Sequence, residues 1–539
     1  MRSSADRAVL GARIRTLDPA QPRATALAWR GGTIVAVGGD AAVRQACDGR
    51  TELIDGDGLA IVPGLVDAHQ HPLMGADATV GADLAGLSTV DEVRAALASE
   101  HARCAPGQWV QGYALEYATF DGVELSGELV ADAVGGAPAY LTFFDYHTAL
   151  ATPAALASAG IAGPHPLAGS AEVVCRDGRP TGALLESAAF ELVTRVMPQP
   201  THEQRRARRA EALRRMAAAG LTAVHGMDGT PATHDELREL EARGELSVRI
   251  VAPLHVEPDT PWEELERWTA LRDVHGERWR GGVAKFFIDG VIEPGTAWLE
   301  EPDTAGRGLE PLWPDPEQFT RAVALFAAAG FQCATHAIGD RAVRHTLDAY
   351  RAAGAAPGVR HRIEHIETIG DEQLARFAAE DVVASMQAIH LQWARADGTD
   401  PWSRALGPER AARAFRCHDL VASGALLALG SDWPVADFDP RPGMAWARLR
   451  RPPGEPGVAP IGPRQALTAQ QTLLGYTRDA WRAVGEEMHA GRIAVGMRAD
   501  LTGFAFDPVD CPPDDLPGLP VRLTVVAGEP VVLIPSASA

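Results

Sequence analysis

Two histidines separated by one residue are the first candidates for chemistry in this chain. They are His69 and His71, and they close an apolar run in the segment PGLVDAHQHP (63–72). In a β-strand, alternate side chains lie on one face, roughly 6.5–7 Å apart. Two imidazoles at that spacing can bind one divalent metal ion, although two surface histidines at a strand end would give the same pattern. The segment therefore favours a metal site, which needs further ligands from elsewhere in the chain.

Other residues suited to metal coordination fall in or at the ends of further strand-like segments. Lys285 lies in VAKFFID, His336 lies at the end of FQCATHA, His365 ends RIEH and Asp432 ends LLALGSD. Taken singly, His365 could be a hydrogen-bonded core histidine, and Asp432 could cap a turn. In (β/α)₈ barrels, however, the active site is built at the carboxyl ends of the strands. Placement on successive strands thus predicts one common site.

Lys285 requires a separate explanation, because an ammonium group has no lone pair for a metal ion. A buried lysine loses its proton readily, and its neutral amine can add carbon dioxide. The resulting carbamate has two oxygens that could bridge two metal ions roughly 3.5–4 Å apart. The alternative is a cationic lysine that binds a substrate carboxylate, and the residue types alone leave both open.

The elements that must position these residues alternate between strand-like and helix-like segments. Eight segments have the character of strands: IVPGLVDAH, LTAVHG, VRIVAPLH, VAKFFID, FQCATHA, RIEH, VVASMQ and LLALGSD. Helical patterns between them, such as DPEQFTRAVALFAAAG and GPERAARAFRCHDLVASG, end on glycine after an alanine-rich last turn, a common helix stop. This alternation predicts a (β/α)₈ barrel of the TIM type. A doubly wound open sheet is the second choice, because no G-x-G-x-x-G follows the first strand.

Both ends of the chain carry short strand-like segments with tight turns, and neither end alone has enough strands to be stable. We therefore expect residues 1–62 and 490–539 to form one small β-sandwich domain, with the hydrolase barrel at 63–489. About 150 residues separate His71 from the second strand, far more than a normal crossover. We interpret residues 76–200 as largely an insertion after the first barrel strand that covers the site.

Composition excludes several classes of function. The 539-residue chain has 50 basic and 71 acidic side chains and a formal net charge of −21. A surface with this much negative charge repels phosphate backbones and anionic lipids. We therefore expect neither a nucleic acid nor a membrane as partner. The start of the chain lacks the apolar core of a signal peptide. The six cysteines are scattered along the sequence, which favours reduced thiols over disulfides. We expect a cytoplasmic protein with a small-molecule substrate, and leave a homodimer open.

Six motifs carry a resemblance to a known family. PGLVDAHQHP, VAKFFIDG, THAIGDRAV, RHRIEH, ALGSDWPV and GRIAVGMRADL follow one another between residues 62 and 503. In type and order they resemble the amidohydrolase superfamily, in particular its branch of N-substituted formamide deformylase-like, YtcJ-type metal-dependent hydrolases (amidohydrolase family 3). The resemblance implies a barrel with a β-domain from both chain ends.

The resemblance also implies a metal centre with a carboxylated lysine. One ion would be held by His69, His71, Asp432 and the carbamate of Lys285, and a second by the same carbamate with His336 and His365. Imidazole with carboxylate oxygens suits zinc best, and manganese, iron or cobalt remain open.

The implied reaction is hydrolysis of a non-peptide C–N bond in an N-formyl, N-acyl or cyclic amide. A hydroxide that bridges the two metal ions would attack the carbonyl carbon. Asp432 is the predicted catalytic residue, which would accept the hydroxide proton and pass it to the departing nitrogen.

Departures from the family pattern concern the substrate. Related proteins usually read DGALGSRTA after the lysine strand, whereas this chain reads DGVIEPGTA, which places Glu293 in that loop. The loss of an arginine and the gain of a carboxylate predict a preference away from anionic substrates. We expect Glu293, His147, Gln387 and Trp433 to contact the substrate, with ordinary packing an equal alternative for Trp433.

Two other functions remain open. One is a mononuclear deaminase of the same superfamily, whose sites often carry an H-x-x-E motif. In this chain the corresponding segment, which begins at His336, reads HAIG, so Gly339 occupies the position of the glutamate. The other is a barrel that has lost catalysis and serves as a scaffold, against which the presence of all six candidate ligands counts.

Overall fold

The computed structural model describes residues 4–105, 107–120, 122–144, 146, 148–167 and 171–534. The chain divides into two compact units. The first comprises residues 1–72, 210–433 and 437–539, and the second comprises 73–209 and 434–436.

The centre of the first unit is an eight-stranded parallel sheet whose strands follow one another in chain order. Its strands are β1 (Leu65–Gln70), β2 (Leu221–Gly226), β3 (Arg249–Val256), β4 (Trp279–Phe287), β5 (Gln332–Ala337), β6 (Arg362–His365), β7 (Val383–Met386) and β8 (Leu427–Leu429). Just beyond β8, the Asp432 N–H donates to the His69 carbonyl at the end of β1 (2.7 Å), so the barrel is nearly closed. The predicted (β/α)₈ fold is confirmed.

Small and branched side chains from nearly every strand fill the lower barrel. This plug includes Val66, Ala223, Val251, Val283, Ala334, Val383 and Ala428, with Trp481 packed against them. Layers of such residues are typical of barrels, whose interior is a packed core and not a pore.

Helices connect the strands as the alternation predicts. The helices that lie between barrel strands along the chain are Pro231–Ala242, Trp262–Trp268, Pro316–Ala328, Asp340–Ala353, Asp371–Ala379, Pro401–Leu406, Pro408–Ala411 and Cys417–Ala422. Three more helices follow β8: Pro440–Leu449, Ala469–Gly475 and Arg478–Ala483. In the described part of the chain, no helix combines the length and apolar character that crossing a bilayer requires.

One helical pattern, at residues 407–424, is interrupted in the structure. Two short helices replace the continuous helix that the sequence indicates, and Phe415 between them has φ +49°. The Phe415 N–H donates to the Glu367 carbonyl (2.9 Å), and its own carbonyl accepts from Arg450 Nη1 (3.2 Å). These tertiary bonds hold the backbone out of helical geometry, which local propensity cannot reveal.

The first predicted strand is likewise divided, at Gly64. Ala60–Pro63 pairs antiparallel with Leu501–Phe504 in the β-domain, whereas Leu65–Gln70 is barrel strand β1. A Cβ atom at Gly64 would lie 2.2 Å from the Thr222 hydroxyl oxygen. Only glycine permits the chain to pass from one sheet to the other at this close approach to β2.

Both chain ends contribute to two sheets that face a common core. One sheet has the strands Arg7–Leu10, Ala26–Arg30, Thr33–Gly38 and Glu52–Asp55, and the other has Arg13–Arg15, Arg23–Ala24, Ala60–Pro63, Leu501–Phe504, Val521–Val526 and Glu529–Leu533. Trp29 and Ile34 of the first sheet pack with Ile61, Leu501 and Leu523 of the second. The predicted β-sandwich from both termini is present.

The second unit is built on a six-stranded sheet. Its strands are Ala82–Asp83, Val110–Leu115, Ala139–Phe143, Thr148–Ala151, Glu172–Arg176 and Arg179–Leu185, with the helices Val90–Arg103, Glu128–Ala131, Pro153–Ser158 and Glu186–Thr194 beside them. Leu97 of the longest of these helices packs with Leu141 of the sheet. The helix His202–Ala218 leads back to β2. That this segment covers the site stays a prediction.

Candidate metal centre

His69, His71 and Asp432 converge at the carboxyl ends of β1 and β8. Asp432 Oδ1 lies 3.1 Å from His69 Nε2 and 3.3 Å from His71 Nε2. One ligand atom from each residue fits within 4.8 Å of the others. Nε2 of His69 is buried, and the Asp432 carboxylate is the polar group that the structure places against it. Two imidazoles and a carboxylate in this arrangement suit one divalent ion.

A second set of donors shares Asp432. It comprises His365, His390 and Asp432, whose ligand atoms also lie within 4.8 Å of one another. His390 Nε2 lies 3.8 Å from Asp432 Oδ2 and 3.3 Å from the Ser431 carbonyl oxygen. His390 is not among the residues predicted from the sequence; it lies in the short 3₁₀ helix Ala388–Trp393. The one sequence feature that could have identified His390 as a candidate ligand is its position just beyond β7.

His336 lies beside this second set and turns its Nε2 toward a loop. Its ring centroid is 4.4 Å from that of His365, while its Nε2 lies 3.1 Å from the Gly290 carbonyl oxygen and 3.8 Å from Asp289 Oδ1. The ring of His336 stacks on Phe287 at 4.8 Å. The structure thus brings His336 to the site, and with it the loop that follows β4.

Lys285 is fully buried in β4. Its Nζ lies 4.4 Å from the centre of the Phe287 ring and has no hydrogen-bond partner among the described atoms. Burial lowers the pKa of Lys285 to about 8, against the opposing effects of Glu364 and Asp432. Lys285 is also the single lysine among the 50 basic residues of the chain.

The backbone is strained at two of the candidate ligands. His365 has φ +74° and Asp432 has φ +63°, a region that non-glycine residues rarely adopt. Such strain persists only where the surroundings hold it, and it concentrates at functional sites. At Asp432, a bond from its N–H to the His69 carbonyl (2.7 Å) provides part of that restraint.

Asp67 ties the end of β1 to the loop after β8. Its carboxylate accepts from the Ser431 hydroxyl (2.5 Å), the Ser431 N–H (3.0 Å) and the His69 N–H (3.0 Å). Burial raises the pKa of Asp67 to about 7, although these hydrogen bonds lower it. The aspartate of the DAH sequence therefore fixes the two ligand-bearing segments against each other.

A buried ion pair orients His69. Glu364 Oε2 lies 2.7 Å from His69 Nδ1, and Arg362 Nε donates to Glu364 Oε1 (2.5 Å). Burial alone would raise the pKa of Glu364, but Arg362 and His69 hold it well below its usual range. A carboxylate on one ring nitrogen of a histidine directs the other nitrogen toward a metal.

His71 has a comparable partner in Asp228, which lies just beyond β2. His71 Nδ1 is 3.3 Å from Asp228 Oδ1. Burial lowers the pKa of His71, but Asp228 and Asp432 outweigh it and raise the pKa to about 9. The carboxylates therefore favour positive charge at this position, a preference that a divalent cation shares.

The predicted substrate residues have different surroundings. Gln387 follows β7 and is 1% exposed, and neither of its amide atoms has a hydrogen-bond partner among the described atoms. Trp433 packs edge-on against Phe438 at 5.6 Å, and its carbonyl accepts from the His71 N–H (2.7 Å). His147 lies outside the described residues.

Glu293 is exposed in the loop after β4. It raises the pKa of a buried glutamate, Glu367, which is not among the site residues predicted from the sequence. Burial and Glu293 raise the pKa of Glu367 to about 8. Glu367 lies two residues beyond His365 and accepts from Trp402 Nε1 (2.6 Å). Glu293 thus adds to the effect of burial in favouring the neutral form of a carboxyl group that lies beyond β6.

A (β/α)₈ barrel with histidines and an aspartate at the carboxyl ends of its strands defines the class of metal-dependent barrel hydrolases. The sequence pattern of the amidohydrolase family matches residues 52–532, so the chain belongs to that family. It is accordingly a hydrolase that acts on carbon–nitrogen bonds other than peptide bonds, and the resemblance seen in the motifs is confirmed.

Individual relatives match over most of their length. The chain is 32% identical to the protein LONG AFTER FAR-RED 3 of Arabidopsis thaliana, over 92% of this chain and 86% of the relative. It is 28% identical to the N-substituted formamide deformylase of Arthrobacter pascens, over 97% of both chains. Among solved structures, an uncharacterized metal-dependent hydrolase from Pyrococcus horikoshii OT3 has a TM-score of 0.75 and 22% identity, over 94% of this chain and 99% of that one.

Proposed function

We propose that this chain hydrolyses an N-formyl, N-acyl or cyclic amide at a centre of two divalent ions, with zinc preferred. The observation that carries the proposal is that two sets of donors share Asp432. One of its oxygens faces His69 and His71, and the other faces His390. Imidazole and carboxylate donors suit zinc best, and manganese, iron or cobalt are the alternatives.

Lys285 would complete the centre as a carbamate. The lone pair of its neutral amine would attack the carbon of carbon dioxide, forming an N–C bond and releasing one proton. Its burial, its lowered pKa and the lack of a partner for Nζ among the described atoms support this step. The carbamate with His69, His71 and Asp432 would hold one ion, and with His336 and His365 the other, to which His390 is an additional candidate ligand.

When bound, the ions supply Lewis acidity toward the substrate carbonyl and lower the pKa of water. Asp432 supplies the proton transfer. Although burial opposes it, His69 and His71 hold the pKa of Asp432 well below its usual range, so the carboxylate is ionised at neutral pH. It would accept a proton from the attacking water and deliver it to the nitrogen, which cannot leave as an amide anion.

Formamides are the first substrates to test, because a relative that covers 97% of this chain is an N-substituted formamide deformylase. The competing function, a mononuclear deaminase, is disfavoured because the structure leaves no space for a side chain at Gly339. A Cβ atom there would lie 2.0 Å from the Trp298 carbonyl oxygen, so the position that carries glutamate in an H-x-x-E motif has no room for a side chain.

The decisive experiment measures metal per chain by plasma mass spectrometry, together with turnover of a panel of formamides, N-acyl amines and cyclic amides. We expect about two ions in the wild type, falling to one or none in Lys285→Ala. Lys285→Arg is the matched control, because a guanidinium keeps the charge but does not form a carbamate at neutral pH. One tightly held ion that is unaffected by either change would contradict the bridge and favour the deaminase. Full metal content without turnover of any amide would favour a scaffold.

A further inference from the structure

Arg362, the first residue of β6, is a fully buried arginine. Its Nη2 donates to the Ala68 carbonyl of β1 (2.6 Å) and to the Ser385 hydroxyl of β7 (2.7 Å). Its Nε donates to Glu364 Oε1 (2.5 Å), and its Nη2 also donates to Glu364 Oε2 (2.9 Å). Since β1 and β6 are three strands apart around the barrel, the side chain of Arg362 crosses the barrel interior.

The remaining nitrogen of this guanidinium is held by His225, which is fully buried in β2, on the side of the barrel opposite β6. Arg362 Nη1 donates to His225 Nδ1 (3.1 Å), and among the described residues this is the one hydrogen bond at Nη1. A guanidinium has donors only, so Nδ1 must supply a lone pair and the ring proton lies on Nε2. Burial and Arg362 also hold the pKa of His225 well below its usual range. His225 is thereby fixed as one neutral tautomer.

The bond at Nη1 matters because the other end of the guanidinium is crowded. Nη2 of Arg362 carries two hydrogens, but Glu364, Ser385 and the Ala68 carbonyl all accept from it. The three acceptors therefore compete, and the guanidinium has more than one way to satisfy them. An acceptor at Nη1 selects one orientation of the plane. Without it, a buried charged N–H would lose its partner, which is costly enough to move the side chain.

The orientation of Arg362 reaches the candidate ligand His69 by two routes. The first runs through Glu364, whose Oε2 lies 2.7 Å from His69 Nδ1. The second runs through the backbone, because the carbonyl of Ala68 belongs to the residue directly before His69. A change at His225 therefore has a continuous path of hydrogen bonds to a metal-binding histidine.

Packing is the alternative role for His225. Its ring meets the Trp481 ring edge-on at 6.2 Å, and an apolar side chain could fill the same space. Histidine is a costly residue for that purpose, because its buried Nε2 has no hydrogen-bond partner among the described atoms and such a group loses its hydration. The Nδ1 lone pair, which an apolar side chain lacks, is the feature that compensates for this cost.

We propose that His225 is a positioning residue of the metal centre. Its Nδ1 fixes the guanidinium of Arg362, which orients Glu364 and, through it, the ring of His69. His225 itself belongs to neither of the two donor sets. The inference rests on the proposed function, since it takes His69 as a metal ligand.

Zinc affinity, measured by competition with a chromogenic chelator, separates positioning from packing. We expect His225→Leu to bind zinc about tenfold more weakly, as for the loss of other groups that orient a ligand. His225→Asn should retain most of the wild-type affinity, because its amide oxygen can accept from Arg362 in place of Nδ1. His234→Leu is the matched control, since His234 is also buried but stacks on Trp279 (5.4 Å). Equal losses in His225→Leu and His225→Asn would assign the effect to packing and overturn the proposal, as would unchanged affinity in a folded His225→Leu.

A double-mutant cycle tests the path from His225 to His69. If His225 acts through Glu364, His225→Leu should lower zinc affinity much less in a Glu364→Gln background than in the wild type. Losses that simply multiply in the double variant would show that the two residues act independently, which contradicts the proposal.

Proton NMR of the metal-free protein tests the same path without relying on metal binding. The His69 Nδ1–H faces a carboxylate at 2.7 Å, and such a charge-assisted hydrogen bond should give a low-field resonance that is absent from Glu364→Gln. We expect this resonance to shift or broaden in His225→Leu and to return in His225→Asn. If the wild type binds no metal, the proposed function fails, whereas a resonance that is unchanged in His225→Leu overturns the positioning role of His225.

Discussion

Nδ1 of His69 lies 2.7 Å from Oε2 of Glu364, at the bottom of the candidate metal centre. Because Arg362 fixes the glutamate through Nε (2.5 Å), the imidazole is held in one orientation before any metal binds. The remaining ring nitrogen, Nε2, faces Asp432 at 3.1 Å. A buried ion pair that positions a ligand in this way resembles the carboxylate–histidine–metal arrangement of many metalloenzymes.

Glu364→Gln should therefore weaken metal binding. The glutamine amide cannot pair with both Arg362 and the Nδ1–H of His69 as the carboxylate does, so the ring loses its fixed tautomer. We expect roughly a 10–100-fold loss of metal affinity, measured by competition with a chromogenic chelator. Glu263→Gln, on the exposed side of the helix Trp262–Trp268, is the control. Unchanged affinity in a folded Glu364→Gln protein would show that the pair serves stability alone.

Asp432→Asn should abolish most turnover even when the centre is saturated with metal. Asparagine can still offer an oxygen ligand but cannot accept and return a proton. General acid–base steps contribute about 10²–10⁴-fold, and we expect kcat to fall within that range when assayed with excess zinc. Asp437→Asn, an exposed neighbour in the same loop, should leave kcat unchanged. Full turnover by a metal-loaded Asp432→Asn would remove the proton-transfer role from this residue.

The barrel was predictable because its signals are local and repeated. Each strand is a short apolar run, and most helices end on a glycine, so topology follows from the order of the segments. Boundaries set by tertiary contacts were not predictable. The division of the first strand at Gly64 depends on the Thr222 side chain, and the break at Phe415 depends on bonds to Glu367 and Arg450.

The same distinction holds for the site, where the assignment of ligands stays a prediction. Residues that end strands, such as His365, could be named because barrel chemistry collects at those ends. His390 lies in a short 3₁₀ helix and Asp228 in a loop, both beyond their strands, where no periodicity indicates where a side chain points. Lys285 is the only lysine in the chain. This distinction is lost when lysines and arginines are counted together as basic residues.

That single lysine makes the carbamate directly observable. Protein equilibrated with ¹³C-labelled bicarbonate should give one side-chain carbamate resonance, because all other basic side chains are arginines. The resonance should be absent from Lys285→Arg, which controls for a carbamate on the chain terminus. A wild type without the signal, at a pH above the value of about 8 to which burial lowers the lysine pKa, would leave Lys285 as a free amine.

The elevated pKa of His71 predicts how the metal-free protein responds to pH. Its folded pKa of about 9 exceeds the ordinary histidine value of 6.5, so its contribution to the free energy of unfolding is fully present below pH 6.5 and is lost as pH rises through about 9. One pKa unit corresponds to about 1.4 kcal/mol, so we expect a loss on the order of 3 kcal/mol across that window. Urea titrations of wild-type and His71→Asn protein measure this pH-dependent loss of stability, since only the wild type should show it.

Metal binding should show the opposite dependence on pH. A metal ion must displace the proton on His71, so the apparent affinity for zinc should rise with pH until about 9, by up to tenfold per pH unit. Calorimetric titrations in two buffers of different ionisation enthalpy would count the released proton. In His71→Asn that proton should be missing. If wild type and variant release equal numbers of protons, His71 is already neutral in the metal-free protein, and Asp228 and Asp432 do not stabilise its charge.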